Sequence, residues 1–220
     1  MAKPLIDPEA LITMFENATA QQGAQLKKAV TDATLAALQG RELTLKNIRQ
    51  ALKAVSEAAS QGAAKNTAAG IDPGALLDNA VAGMDAALLK AVDANRVALQ
   101  QFVAQGADLR EKHLKKALDD LDKFEDTMFA ALKKTADGAA APLAGAWSQV
   151  LEKLQAGGTQ AGAKAATTAE QMAEQMQSAM KSSRAAGLRA AQALAESYTA
   201  MVSGVLLGMS DALQAQGKRK

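Results

Sequence analysis

Alanine is the residue that most limits what this chain can become. It fills 53 of the 220 positions, about half of all the apolar residues. Alanine is the strongest helix former because it gives up no side-chain entropy on entering a helix. It also buries little surface, so an alanine-rich helix needs a partner helix to persist. Leu, Ile, Val and Phe together supply 43 residues, just under one in five. That is near the floor for a chain that must bury a core. The formal net charge is only +2, so self-repulsion does not hold the chain open. Strand formers are scarce, with nine Val and four Ile among them. The expectation is an all-α fold: long amphipathic helices packed as hairpins or a bundle with coiled-coil-like seams, plus a long C-terminal helix.

An internal repeat organises the first two thirds. Ile6-Asp7-Pro8-Glu9-Ala10-Leu11 returns as Ile71-Asp72-Pro73-Gly74-Ala75-Leu76. Asp before Pro starts a helix well. The carboxylate caps free N–H groups, and Pro sits where no N–H is required. The likeness continues from Leu26-Lys27-Lys28-Ala29-Val30 to Leu89-Lys90-Ala91-Val92, and Gly40 matches Gly106 as a helix stop. Asp108 to Glu111 is a capping-box pattern. These signals predict four segments: a helical hairpin over 1–66, its repeat over 67–136, a Gly/Ala/Pro-rich linker with one short helix over 137–168, and a long C-terminal helix with a basic tail over 169–220.

The seams step by three and four. Leu45, Ile48, Leu52, Val55 and Ala59 form one. Leu77, Val81, Met84, Leu88, Asn95, Leu99 and Phe102 form a second, and Leu114, Leu118, Leu121, Met128 and Leu132 a third. They are narrow apolar stripes. In the linker a helix from Pro142 to Gln155 carries Trp147, Val150, Leu151 and Leu154, and Gly157 to Gly162 reads as a connector.

The last helix is expected to start at a second capping box, Thr167-Thr168-Ala169-Glu170, and run to about Ala215. Its period is eleven: Ser183, Leu194 and Val205; Gly187, Tyr198 and Met209; Ala190, Met201 and Ala212. Such a repeat keeps one face on a nearly straight helix. Met172, Met176, Leu194, Tyr198, Met201, Val205, Leu206 and Met209 form an apolar stripe suited to a surface or a partner. Ala200, Gly204, Gly208 and Ala212 form a small-residue ridge that allows close helix packing. The uncharged stretch Ser197–Ser210 is fourteen residues, short of the roughly 20 needed to span a bilayer.

Catalytic chemistry finds little footing. His113 is the one histidine and there is no cysteine, so no thiolate and no histidine pair is available. The acidic residues Asp119, Asp120, Asp122, Glu125 and Asp126 interleave with Lys115, Lys116 and Lys123 at helical contact spacing, as a solvated ion-pair face does. Gly157 to Gly162 has phosphate-loop spacing, but Ala163 follows it and no strand precedes it. No enzyme activity, metal or cofactor is expected. Lys218-Arg219-Lys220 is too short a basic tail to point to nucleic acid. Lack of cysteine and of an apolar signal core after Met1-Ala2-Lys3-Pro4 fits a cytoplasmic chain.

The run Thr168-Ala169-Glu170-Gln171-Met172-Ala173-Glu174-Gln175-Met176, with Ala190-Ala191-Gln192-Ala193-Leu194-Ala195-Glu196 after it, resembles bacterial phasins. The likeness is strongest over 167–215. It implies a non-enzymatic, helical, self-associating protein that coats intracellular polyhydroxyalkanoate granules, adsorbing to polymer or lipid through the stripe. The alternative is a scaffold subunit in which the same stripe is a helix–helix seam. The long basic tail by which some granule proteins bind DNA is missing here.

Overall fold

Both Asp-Pro signals start helices. In the computed structural model, which describes residues 7–39, 44–68, 70–104 and 112–182, Asp7 Oδ1 accepts from the Ala10 amide at 3.2 Å at the start of α1 (Pro8–Glu16). Asp72 Oδ1 accepts from the Gly74 amide at 2.9 Å where α4 (Pro73–Ala104) begins. Between them lie a short 3₁₀ turn (Ala20–Gln22), α2 (Gly23–Leu38) and α3 (Leu45–Lys65). After α4 come α5 (Lys112–Asp122), α6 (Phe124–Asp137), α7 (Ala141–Gly157) and α8 (Gln160–Ser182). The described residues contain no strand, and the fold is all-α.

The two repeats are broken in different places, and α3 has its counterpart split into α5 and α6. The first is cut between α1 and α2, whereas α4 runs unbroken for 32 residues. Asn17 ends α1 by donating from Nδ2 to the Thr13 carbonyl at 2.9 Å. Thr19 and Gln22 then open the 3₁₀ turn with a capping box. The corresponding residues after Pro73, from Ala82 to Met84, offer no side chain that competes with the helix.

The first hairpin closes through α1 on α3, but the two hairpins are not separate units. α2 lies along α4, and α3 lies along α6, so equivalent helices of the two repeats pair with each other. α1 packs on α3, and α7 and α8 fill the remaining faces of α4 and α6. Among the described residues a single core runs from Leu11 to Met172. The expected linker over 137–168 is therefore part of the bundle, with Leu143, Trp147 and Val150 buried on α7. The physical reason is alanine. Each narrow seam leaves a flanking alanine face, and on α4 Ala80, Ala87, Ala91, Ala94 and Ala98 are buried along with the predicted stripe. A helix with apolar residues on more than one side takes neighbours on more than one side.

Two glycines set the closest crossings. A Cβ on Gly62 would strike the Ile12 carbonyl and come within 2.5 Å of Phe15 Cβ, where α3 crosses α1. A Cβ on Gly83 would lie 2.6 Å from the Lys27 carbonyl and 2.7 Å from Val30 Cβ, where α4 crosses α2.

Buried and half-buried polar groups pin the register between helices. Thr31 Oγ1 donates to the Gly83 carbonyl at 3.0 Å. Asn66 Nδ2 reaches the carbonyls of Phe15 and Ala18. Ser56 and Thr135 hydroxyls share a bond of 2.8 Å, and Trp147 Nε1 donates to Ser60 Oγ at 3.2 Å. Ser60→Ala leaves the buried indole N–H with no acceptor, and the expected cost is about 1–3 kcal/mol. Ser56→Ala should cost less, because Thr135 Oγ1 keeps a bond to the Ala131 carbonyl. Urea titration followed by far-UV circular dichroism checks the order; equal costs would contradict it.

Candidate functional site

The stripe expected to act as a surface begins on α8, so the seat of that helix is the candidate site. α8 starts seven residues before the capping box read from the sequence. Gly158 at φ 65° turns the chain after α7, a conformation that glycine adopts without a Cβ penalty. Two carboxylates from other helices then take the free amides of the new helix. Asp85 on α4 accepts from the Gln160 amide at 3.1 Å and from the Ala161 amide at 2.8 Å. Glu125 on α6 accepts from the Thr159 amide at 2.8 Å. Thr159 Oγ1 takes the Gly162 amide at 2.9 Å. Negative charge at a helix N-terminus is favourable. It also means that the glycine turn has filled its own anion-binding capacity with protein carboxylates.

The buried face of α8 is small. Ala161, Ala165 and Ala169 lie inside, and Met172 is fully buried beside them. Met172 is thus a core residue, not an exposed member of the stripe. It follows Ala161, Ala165 and Ala169 at helical spacing and closes the bundle. Thr168 is fully buried on the same face, and its hydroxyl has no hydrogen-bond partner. Lys164 reaches Asp93 on α4 at 3.5 Å. Met176 lies on α8, but its side chain is outside the described residues. Leu194, Tyr198, Met201, Val205, Leu206 and Met209 of the stripe, and Ala200, Gly204, Gly208 and Ala212 of the ridge, lie outside the described residues.

Other polar groups are committed to structure. On α5 Lys116 pairs with Asp120 at 2.7 Å, one of several i,i+4 pairs that each contribute a few tenths of a kcal/mol. An open cleft of about 270 Å³ between α4 and α7 is lined by Asp78, Asp85, Lys153 and Thr159. Asp78 accepts a hydrogen bond from Lys153 Nζ at 2.5 Å, and that bond, with the carboxylate's charge, raises the Lys153 pKa above the ordinary lysine value. Asp85 is occupied by the α8 amides. Among the described residues no three His, Cys, Asp or Glu side chains converge as a metal would require, and no helix is long and apolar enough to cross a membrane. The side chain of His113 is outside the described residues.

The close-approach glycines, Gly62 and Gly83, and the Asp85 and Glu125 caps had no place in the sequence reading. For the glycines a signal existed: Ala59-Ser60-Gln61-Gly62-Ala63 and Ala80-Val81-Ala82-Gly83 put small residues at i and i+3. For the caps there was none, since the carboxylates lie 75 and 34 residues from the amides they serve.

A family model described as a family of unknown function (DUF6781) matches residues 1–215. No curated protein and no solved structure matches the chain.

Proposed function

The chain belongs to this family of unknown function, DUF6781, and from its own residues we propose that it is a non-enzymatic, phasin-like protein that adsorbs to an apolar phase, polymer or lipid, through its C-terminal stripe. The observation that supports this reading is where the bundle spends its apolar residues. Among the described residues the large hydrophobic side chain left exposed is Met14, at 41 %. The described side chains therefore offer water a charged and alanine surface with little to adsorb by. The apolar run that can serve such a role is in the sequence beyond them: Leu194, Tyr198, Met201, Val205, Leu206 and Met209. Methionine and leucine along one face suit an irregular apolar partner, because methionine adapts its shape. An amphipathic helix binds a surface in proportion to the apolar area it buries.

Fractionation of the native cell tests the proposal. The protein is expected to pellet with storage granules or with membranes. Recovery in a discrete soluble complex of fixed size, unchanged by added polymer or lipid, would overturn adsorption in favour of a scaffold subunit.

A further inference from the structure

α8 is held differently from the other long helices. α3 anchors itself with Ile48, Leu52 and Val55, and α4 with Leu77, Leu88, Leu99 and Phe102, all buried. Over its described side chains, up to Gln175, α8 inserts Ala161, Ala165, Ala169 and Met172, with Gly162 and Thr168 beside them. Burial energy scales with apolar area, so three methyl groups hold a helix far less firmly than three leucines. In the middle of that face sits the Thr168 hydroxyl, stripped of water and without a partner. A buried unpaired hydroxyl disfavours the docked state and is relieved as soon as water reaches it.

The remaining attachments are at the exposed end. Asp85 and Glu125 clasp the first amides of α8, and Lys164 reaches Asp93 with both side chains more than a third exposed or close to it. Immediately before the clasp stands Gly157-Gly158, with Gly158 at positive φ and no Cβ on either residue to restrict rotation. A weakly filled seat, a penalised buried hydroxyl, a polar clasp and a glycine pivot occur together on one helix. Local opening draws on the least anchored elements of a fold.

We propose that α8 is an arm that swings off α4 as a unit about Gly157-Gly158, well before the rest of the bundle unfolds. Opening uncovers the sides of α4, α5 and α6 against which α8 lies, and exposes Met172. The use of the opening rests on the adsorption reading; the opening itself does not.

Hydrogen exchange on the full chain, with no polymer or lipid present, separates the two. Amides over 161–172 are expected to exchange at least a hundredfold faster than those over 52–59 of α3. Thr168→Val keeps the shape and removes the unpaired hydroxyl, and should slow exchange over 161–172 about tenfold. Asp85→Ala with Glu125→Ala removes the clasp and should speed it about tenfold or more. Both changes should leave exchange over 52–59 in place, and Trp147 fluorescence reports that the core is intact. Exchange over 161–172 as slow as over 52–59, or no response to Thr168→Val and to loss of the clasp, would overturn the arm. Either of those results leaves adsorption by the C-terminal stripe standing.

Discussion

Gly62→Ala is expected to destabilise the bundle by about 2 kcal/mol, against the ordinary trend for that substitution. In a free helix position alanine gains roughly 1 kcal/mol over glycine. At Gly62 the new methyl meets the Ile12 carbonyl and Phe15 Cβ. Both are fixed parts of α1, so α1 must back away from α3. Overpacking of this kind costs about 1–3 kcal/mol, and more where backbone must move. Gly83→Ala should behave alike. Its methyl meets the Lys27 carbonyl and Val30 Cβ, and moving α2 away would also stretch the bond from Thr31 Oγ1 to the Gly83 carbonyl. Gly145 supplies the control. It lies on the exposed side of α7 with nothing near its absent Cβ, so Gly145→Ala should stabilise by about 1 kcal/mol. Chemical denaturation of the three variants reads the signs directly. Stabilisation at Gly62 or Gly83 would mean that the helices do not cross as closely as described.

The second large effect concerns the surface proposed to adsorb. Met201, Val205 and Met209 are spaced by four in the sequence, the spacing that would set them on one face of a helix. Burying each against an apolar phase contributes about 1.5–3 kcal/mol. Changing all three to Asp removes that contribution and sets carboxylates where they would have to lose water, which is costlier still. Adsorption should fall to background. The core described from Leu11 to Met172 is expected to stay folded.

How much of this was legible from sequence divides by residue type. Residues that contrast with their neighbours were readable. The Asp-Pro starts became Asp7-Pro8 and Asp72-Pro73 caps, the seam from Leu77 to Phe102 is buried throughout, and the helix around Trp147 exceeds its predicted bounds by one residue at its start and two at its end. Alanine offers no such contrast. Ala161, Ala165 and Ala169 are buried while Ala163 and Ala166 on the same helix are exposed, and nothing in the residues themselves marks the difference. The pairing of α2 with α4 and of α3 with α6 was hidden for the same reason. Like-with-like contact between repeats draws on alanine faces and, between α2 and α4, on the close approach at Gly83. The seat of α8 was masked further by its Gly157-Gly158 turn, which has linker composition but is tied down by carboxylates distant in sequence.

The adsorption proposal meets its most direct test in co-sedimentation. Wild-type protein and the variant combining Met201→Asp, Val205→Asp and Met209→Asp are mixed with polyhydroxyalkanoate particles or with phosphatidylglycerol vesicles and pelleted. Far-UV circular dichroism confirms that helicity is retained. The expected result is wild-type protein in the pellet with at least one of the two and the variant in the supernatant with both. A variant that pellets as fully as wild type would contradict the assignment of the working surface to the C-terminal stripe.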